Sequence, residues 1–354
     1  MCNSSPSKFR NLAINLALVV LSVLITMVIV EVAVRIAGYK SIYAGTQFFD
    51  YDSVLGWRLR PNLEGPFERP QFRTYVKINE HGLRDRDYTY EKPVNNKRIV
   101  VLGDSFVWGY GVNGDKVFTG RIAAELEGVD VINAGVTAYG TAQELLWLER
   151  EGVKYHPDLV IVVLYKNDLV DNVTSVYNGY HRPVMILRDD GSLQLSGVPC
   201  QHGSIRNRLR KSLVRYSALT GILLRSEFRF LLRLEGPVFG GATPRSGEDN
   251  GGIGVSSEAY AVRLTIALVD RIGKVAEAHS ARVLVVAICH DDDACKDVVK
   301  GLSGKNLPVL ALDEQNGYSP ADMVIPGDEH WNAAGHEFVA RSISEFIKAH
   351  NLLP

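Results

Sequence analysis

The chain has 354 residues, of which 46% are hydrophobic and 22% are charged, and its formal net charge is -1 at pH 7. A chain of this hydrophobic content builds a full core, which excludes a disordered protein. The balanced charge argues against a general nucleic-acid binder, so we expect no nucleic-acid partner. By length, the chain forms one large domain or two modest ones.

The cysteine content indicates neither a disulfide scaffold nor a zinc site. There are four cysteines, and no Cys-x-x-Cys pair occurs among them. Free, buried thiols are the state that we expect. The alternative, in an oxidising compartment, is a bridge from Cys200 to Cys289 or Cys295.

An apolar stretch near the N-terminus predicts a membrane helix. Residues 12–30 are almost wholly aliphatic and contain no charged side chain. At about 1.5 Å per residue, this stretch is long enough to cross a hydrocarbon core of about 30 Å. We interpret it as an uncleaved anchor. A cleaved signal peptide is the competing interpretation, but the run is longer than a usual signal core and no small-x-small site follows within residues 31–37.

The positive charges on the two sides of this anchor nearly balance, so they give little indication of its orientation. Lys8 and Arg10 precede the span, and Arg35 and Lys40 follow it. The free amino terminus and the offsetting Glu31 favour an N-terminus inside the cell. We therefore expect the large C-terminal part to be periplasmic or extracellular.

The composition divides the chain into three parts: the anchor, a lead-in and a main domain. Residues 1–40 form the anchor, residues 41–97 a β-rich lead-in, and residues 98–354 an α/β domain with an insert at 172–257. Short alternating runs such as residues 72–78 predict strands in the lead-in, and we interpret residues 79–84 as a turn that docks it.

The insert carries an arginine-rich stretch, residues 204–234, with apolar residues at helical spacing. It predicts a substrate lid, a membrane-surface helix pair, or helices with a solvated basic face. The glycine-rich residues 236–257 that follow predict a flexible loop.

The main domain alternates strand and helix, which predicts a doubly wound parallel sheet between two helical layers. The predicted strands are residues 99–102, 130–133, 159–165, 282–288 and 308–312, and the predicted helices are 117–126, 142–151, 258–278 and 333–350. Ligands of such sheets bind beyond the carboxyl ends of the strands. Chemistry should therefore gather at Ser105, Gly135 and Asn167, and at the loops after residues 288 and 312.

The tripeptide Gly103-Asp104-Ser105 lies where the first of these strands turns into a helix. A serine in that position points out of the sheet, and its backbone N–H lies near a helix N-terminus, which favours negative charge. Ser105 is thus placed as a nucleophile. The alternative is a turn with a capping serine, in which Asp104 holds the local backbone.

Three further segments supply what a nucleophilic serine needs. His330 lies on a loop just before the closing helix, which Asn332 can cap, and Asp328 lies two residues earlier. A histidine base takes the serine proton, and a carboxylate fixes its tautomer. Asn167 and Gly135 follow two other strands and offer hydrogen-bond donors for an oxyanion, together with the Ser105 amide.

In these segments, and over roughly residues 98–350 apart from the insert, the sequence resembles the SGNH family of GDSL-type esterases and acyl hydrolases. The resemblance implies a flavodoxin-like sheet. It implies Ser105 as nucleophile, His330 as base, and Ser105, Gly135 and Asn167 as oxyanion donors. It implies no cofactor.

Two departures from the family pattern stand out. The Asp328-Glu329-His330-Trp331 run replaces Asp-x-x-His-Pro, and it looks like the Asp-x-His-Trp variant of membrane-linked, polysaccharide-modifying branches. Tyr165-Lys166 stands where a glycine usually precedes the Asn-Asp pair. Glu329 is a poorer carboxylate partner for His330 than Asp328, because an adjacent side chain in an extended loop tends to point the other way.

These observations predict a membrane-anchored serine esterase that acts on an O-acyl ester, either a small molecule or an acylated glycan of the cell envelope. Two alternatives remain open. One is an O-acyltransferase acting on an envelope polysaccharide, and the other is a non-catalytic, membrane-tethered binding protein with the same fold. A metal site at residues 290–293 is a weak further alternative, because no second ligand cluster accompanies it.

Overall fold

The structure is a computed structural model that describes residues 6–37, 46–202, 217–223 and 257–354. The chain divides into two compact units. One comprises Met1–Thr46 and Ser204–Gly241, and the other comprises Gln47–Gly203 and Ala242–Pro354.

The smaller unit contains the N-terminal helix α1, Pro6–Ile36, and a short helix, Ala218–Leu223. Within α1, the stretch Arg10–Ile36 has a mean hydropathy of 2.8 and is long and apolar enough to cross a membrane. Glu31 caps the short helix, because its carboxylate accepts hydrogen bonds from the Ser217 hydroxyl and from the Ala218 and Leu219 amides, each 2.9 Å long. The rest of the predicted arginine-rich stretch, and residues 236–256, lie outside the described residues.

The lead-in of the larger unit consists of two antiparallel hairpins, which confirms its predicted β character. Strand β1 (Phe49–Asp52) pairs with β2 (Gly56–Leu59), and β3 (Glu64–Arg69) pairs with β4 (Phe72–Lys77). A short 3-10 turn, Thr46–Phe48, precedes them.

Arg84 docks this lead-in on the main domain. Its buried guanidinium donates hydrogen bonds to the carbonyls of Trp108, Gly109 and Val112, at 2.6–2.9 Å, and lies 4.4 Å from the Trp108 ring centroid. Burial lowers the pKa of Arg84 to about 10, a value at which the group still carries its charge at neutral pH. The predicted docking role of residues 79–84 is confirmed.

The main domain is built on five parallel strands. They are β5 (Lys97–Leu102), β6 (Val129–Asn133), β7 (Leu159–Tyr165), β8 (Arg282–Ile288) and β9 (Val309–Ala311). Their spatial order is β9-β8-β7-β5-β6, which in chain order is the flavodoxin-like 2-1-3-4-5 arrangement read from the other edge. Every residue of β7 is buried, as expected for a central strand that is covered on both faces.

Helices cover both faces of this sheet. They are α2 (Ser105–Trp108), α3 (Phe118–Glu125), α4 (Thr141–Arg150), α5 (Asp168–Val173), α6 (Glu258–Ala278), α7 (Asp293–Ser303), α8 (Pro320–Met323) and α9 (Ala333–Ala349). Apolar residues of α4, α6 and α7 join one core, which the lead-in extends, whereas those of α3 and α9 join the other. Short 3-10 turns occupy Gly114–Lys116 and Gly152–Tyr155. The predicted layered α/β architecture is confirmed.

Two features of this unit were not predicted from the sequence. Helix α7 begins in the aspartate-rich run that we interpreted as a loop, because the Asp292 side chain caps it by accepting a 2.8 Å bond from the Cys295 amide. The insert begins with two small hairpins. They pair Val176–Tyr177 with Tyr180–His181, and Val184–Leu187 with Leu193–Ser196.

A disulfide joins Cys289, just after β8, to Cys295 in the first turn of α7, with the Cα atoms 5.3 Å apart. The expectation of free thiols at these two positions is therefore wrong, and so is the alternative of a bridge to Cys200. Cys200 is a buried free thiol whose Sγ faces the Val54 carbonyl at 3.5 Å in the lead-in. The Asp292 cap lies between the two bridged cysteines in the chain and bonds the Cys295 amide.

His336, in the first turn of α9, is a buried neutral side chain. It is 1% exposed, and its ring stacks on Phe118 at a centroid distance of 5.9 Å. Burial, reinforced by Arg84 and Arg121, lowers its pKa from 6.5 to about 3. Between these values the unfolded chain binds a proton at this position that the folded chain does not, so stability falls as the pH falls.

We expect His336→Gln to reduce the loss of stability that the wild type shows as the pH falls. The melting temperature of the wild type should fall relative to that of the variant as the pH decreases from 6.5 towards 3. Melting curves across this range test the prediction, with His350→Gln, at an exposed position, as the control. Parallel pH dependences for wild type and His336→Gln would contradict it.

Candidate active site

The turn after β5 presents Ser105 at the carboxyl edge of the sheet. Asp104 accepts a 2.9 Å hydrogen bond from the Phe106 amide, which holds the turn as predicted. Ser105 is then the first residue of α2, and it is partly exposed while the residues on either side of it are buried. The hydroxyl is therefore accessible on a rigid support.

The loop that precedes α9 is equally well fixed. Asn332 caps α9 by accepting bonds from the Ala334 and Gly335 amides, at 2.9 and 3.1 Å. Its own amide donates to the carbonyls of Asp322 and Val324, at 2.8 and 3.1 Å. One side chain thus ties the helix to the segment before it, and the predicted cap is confirmed.

The structure brings Ser105, His330 and Asp328 into one hydrogen-bonded chain. The Ser105 Oγ lies 2.7 Å from His330 Nε2, and His330 Nδ1 lies 2.5 Å from Asp328 Oδ1. The same Asp328 oxygen accepts a 3.0 Å bond from the His330 amide. This is the geometry in which a neutral imidazole donates from Nδ1 and accepts the serine proton at Nε2.

Asp328 is held in its ionised form. Partial burial alone would raise its pKa, but the hydrogen bonds from the His330 side chain and backbone outweigh that effect and bring the pKa below its ordinary value. An ionised carboxylate stabilises the imidazolium that forms when the histidine takes a proton.

Aromatic side chains fix the imidazole ring. Phe106 stacks on His330 with centroids 4.8 Å apart, and Tyr110 lies against it at 4.3 Å. Tyr110 in turn receives a 3.2 Å bond from Arg69 of the lead-in. The lead-in therefore contributes to the packing around the base.

The three predicted oxyanion donors differ in what they bind. The Gly135 amide donates to Asn133 Oδ1 at 3.0 Å, and the Asn167 carboxamide nitrogen donates to Asp104 at 3.1 Å and to Asp171 at 3.0 Å. Among the described residues, none accepts a hydrogen bond from the Ser105 amide. Of the three, the Ser105 amide is thus the donor that has no acceptor to give up, and the oxyanion roles of all three stay predictions.

The sequence did not reveal how Asn167 is held: its carboxamide donates to Asp171, which Arg182 binds in turn. Asp171 lies one helical turn after it and is bound by the buried guanidinium of Arg182 at 2.7 Å. Arg182 also donates to the Ala138 carbonyl, in the loop after β6, at 3.3 Å. The spacing of Asn167 and Asp171 is a visible signal for their contact, but Arg182 arrives from the insert and has no such signal.

A group of buried acids lies behind this turn. Burial raises the pKa of Asp104, and it raises those of Glu144 and Asp168 well above their ordinary values, with each neighbouring carboxylate adding to the effect. Neither carboxylate oxygen of Glu144 has a hydrogen-bond partner among the described residues. Burial thus disfavours the charged form of Glu144 most plainly, whereas Asp168 accepts a 2.9 Å hydrogen bond from the Tyr165 amide.

Gly135 allows the loop after β6 to closely approach the turn and helix that carry Ser105, which we call the nucleophile turn. A Cβ atom there would lie 2.2 Å from the Trp108 backbone nitrogen and 2.6 Å from the Val107 carbonyl carbon. We expect Gly135→Ala to destabilise the protein by about 1–3 kcal/mol, because this backbone must move to relieve the overlap. It should also lower activity, since the moved segment is the helix that begins at Ser105.

Chemical denaturation and ester hydrolysis together test this prediction. Gly120→Ala is the matched control, because Gly120 is an exposed helical position with nothing within 4 Å of an added Cβ. Alanine has the higher helix propensity, so this control should be neutral or stabilising. Equal stabilities for the two variants would argue against the close approach.

A parallel α/β sheet with a hydrogen-bonded serine, histidine and carboxylate at its carboxyl edge has the architecture of a serine hydrolase. The sequence matches the family model described as GDSL-like lipase/acylhydrolase over residues 99–343. Because this match covers well over half of the chain, the protein belongs to that family and is a serine ester hydrolase. The resemblance to GDSL-type esterases and acyl hydrolases is confirmed, and the resemblance to the membrane-linked branch stays a prediction.

Solved structures with a similar fold include members of the same family. A lipolytic protein of the G-D-S-L family from Desulfitobacterium hafniense is 11% identical, with a TM-score of 0.39 and coverage of 71% of this chain and 99% of that chain. A GDSL-like lipase from Bacteroides thetaiotaomicron is 13% identical, with a TM-score of 0.39 and coverage of 73% and 92%.

An acetylxylan esterase from Geobacillus stearothermophilus is 12% identical, with a TM-score of 0.37 and coverage of 73% and 96%. Comparison with curated protein sequences gave no significant match.

Proposed function

We propose that this protein is a membrane-anchored esterase that removes acyl groups from an O-acylated envelope or glycan substrate outside the cytoplasm. The observation that carries the catalytic part is the continuous hydrogen-bonded chain from Ser105 through His330 to Asp328. All three side chains are partly accessible, so a substrate carbonyl can approach the serine.

In the proposed reaction, Ser105 Oγ attacks the ester carbonyl carbon while His330 Nε2 takes the hydroxyl proton. The Ser105 amide donates to the oxyanion, joined by Gly135 and Asn167 if their present hydrogen bonds rearrange. Collapse of the tetrahedral intermediate breaks the bond to the alcohol, which leaves with the proton from His330. Water then attacks the acyl-enzyme with His330 again as base, releasing the carboxylic acid and free Ser105.

The extracytoplasmic location rests on two observations. The apolar stretch Arg10–Ile36 is suited to a membrane span, and the Cys289–Cys295 disulfide belongs to an oxidising compartment. An enzyme anchored on that side of the membrane lies beside the cell envelope, so acylated envelope components are the esters nearest to it. This is why we favour an acylated glycan over a free small molecule.

We expect Cys289 and Cys295 to resist thiol alkylation in protein isolated from cells without reductant. Mass spectrometry of the alkylated, denatured chain should show an intact bridge between them and a single modified thiol at Cys200 among the three. Reduction before alkylation is the control. Alkylation of Cys289 and Cys295 without reduction would speak against an extracytoplasmic catalytic domain.

Hydrolysis by the full-length chain in detergent tests the activity itself. A series of aryl esters of increasing acyl length should be cleaved with a rate that depends on Ser105. Adding an acylated glycan, or a glycan acceptor with an acyl donor, then separates hydrolysis from transfer. Acyl groups that appear on the acceptor would assign the protein as an O-acyltransferase. A folded chain that cleaves no ester and transfers no acyl group would favour the non-catalytic binding role.

A further inference from the structure

Glu329 lies between Asp328 and His330 in the chain, but its side chain binds residues of another segment. Its Oε2 accepts a 2.6 Å hydrogen bond from the Tyr165 hydroxyl, and its Oε1 lies 3.1 Å from Lys166 Nζ. The side chain therefore points away from the Asp328–His330 pair, as expected for an adjacent residue in an extended loop. The sequence did not indicate what it would contact.

The two partners of Glu329 belong to the central strand of the sheet. Tyr165 is the last residue of β7 and Lys166 follows it, directly before Asn167. The link consequently joins the loop that carries the base to the strand end that carries a predicted oxyanion donor.

The Tyr165 contact is the stronger part of this link. Tyr165 is 5% exposed, and its ring lies 4.4 Å from that of Phe106, which stacks on His330. The Lys166–Glu329 pair is more open, with side-chain exposures of 34% and 65%, so solvent screens it. The hydrogen bond from Tyr165 also lowers the pKa of Glu329, which keeps this acceptor ionised.

We propose that Glu329 is a positioning residue that, with Tyr165, holds the Asp328–His330 loop over the nucleophile turn. This inference rests on the proposed serine esterase activity. Without the link, the loop keeps its own backbone bonds, the Asn332 contacts and the rings packed on His330, but it loses its tie to the end of β7. The imidazole would then spend less time within hydrogen-bond distance of Ser105, and small misplacements of a base reduce turnover strongly.

Three substitutions test the proposal by their effects on kcat and KM. Glu329→Ala and Tyr165→Phe should each lower kcat by about tenfold or more with little change in KM, because the base is misplaced while the substrate contacts remain. Glu329→Gln keeps an acceptor for the Tyr165 hydroxyl and should restore most of the activity. Tyr165→Phe retains the buried ring, so this variant should fold.

Glu337→Ala is the matched control, because Glu337 forms a comparably exposed ion pair with Arg121 at 3.2 Å on α9. It should leave kcat unchanged. A merely structural role of Glu329 would instead lower the melting temperature of Glu329→Ala and Tyr165→Phe while leaving their kcat at the wild-type value. That result would overturn the proposal.

A second readout needs no turnover. The proton between His330 Nδ1 and Asp328 should give a low-field NMR resonance in the wild type and in Glu329→Gln. It should broaden or shift in Glu329→Ala and Tyr165→Phe. An inactive wild type with this pattern would refute the proposed esterase function but support the positioning link. An unchanged resonance in all variants would refute the link.

Discussion

Replacing Ser105 by alanine should reduce ester hydrolysis on the order of 10⁴-fold or more, because the change removes the atom that forms the acyl-enzyme. The Ser105 Oγ is the atom that lies 2.7 Å from the imidazole, and it is partly exposed at the carboxyl edge of the sheet. Residual hydrolysis should come only from binding and oxyanion stabilisation. The measurement is kcat/KM for a short aryl ester with the full-length chain.

Stability should hardly change in this variant, because Ser105 lies on the surface of a rigid turn that Asp104 and the helix backbone hold without it. Ser303→Ala, at an exposed position near the end of α7, is the control and should keep full activity. Wild-type activity in Ser105→Ala would show that another residue is the nucleophile.

Replacing Asp328 by asparagine should lower kcat by about 10²- to 10⁴-fold, the second largest effect that we expect. The carboxylate accepts from His330 Nδ1 at 2.5 Å and so directs the other ring nitrogen to accept the serine proton. An amide in its place favours the wrong tautomer and does not stabilise the imidazolium. KM should change little, because Asp328 acts through His330 and not on the substrate.

Asp322→Asn is the matched control for this variant. It is an exposed aspartate on the same segment, and its carboxylate accepts a 2.8 Å bond from Ser319. A similar loss of kcat in both variants would mean that the segment's fold, and not the imidazole partner, sets the rate. Retention of full activity in Asp328→Asn would remove Asp328 from the mechanism.

The parts of the fold that were predicted correctly have local causes. The run of apolar residues in β7 and the helical spacing in α6 specify their elements without reference to the rest of the chain, and both have the predicted bounds. The turn at Ser105 and the cap at Asn332 likewise depend on their immediate neighbours. The short segments at strand ends were therefore enough to predict that Ser105 and His330 lie together, and their roles as nucleophile and base stay predictions.

The parts that were missed depend on which side chains the fold brings together. Arg182 reaches Asp171 from a hairpin of the insert, and Tyr165 meets Glu329 across 164 residues. The disulfide joins Cys289 to Cys295 and leaves Cys200 as a free thiol. Residue types alone do not reveal such pairings, because each partner also suits a solvated position.

The hydrogen bonds that Gly135 and Asn167 already make were also missed, although these acceptors are near in sequence. Positions at strand ends place both donors near Ser105, but they do not show that Asn133 and Asp171 accept hydrogen bonds from these donors. An oxyanion that forms at Ser105 must compete with these acceptors for the two donors. The Ser105 amide faces no such competition from the described residues.

Covalent labelling by a fluorophosphonate identifies the nucleophile of the folded chain. The reagent phosphonylates a serine only where a neighbouring base activates it, so it reports the nucleophile without any knowledge of the substrate. We expect a single adduct, mapped by mass spectrometry to Ser105, on the folded full-length chain, and we expect slow or absent labelling in His330→Ala. No adduct on Ser105, or equal labelling in His330→Ala, would contradict the account.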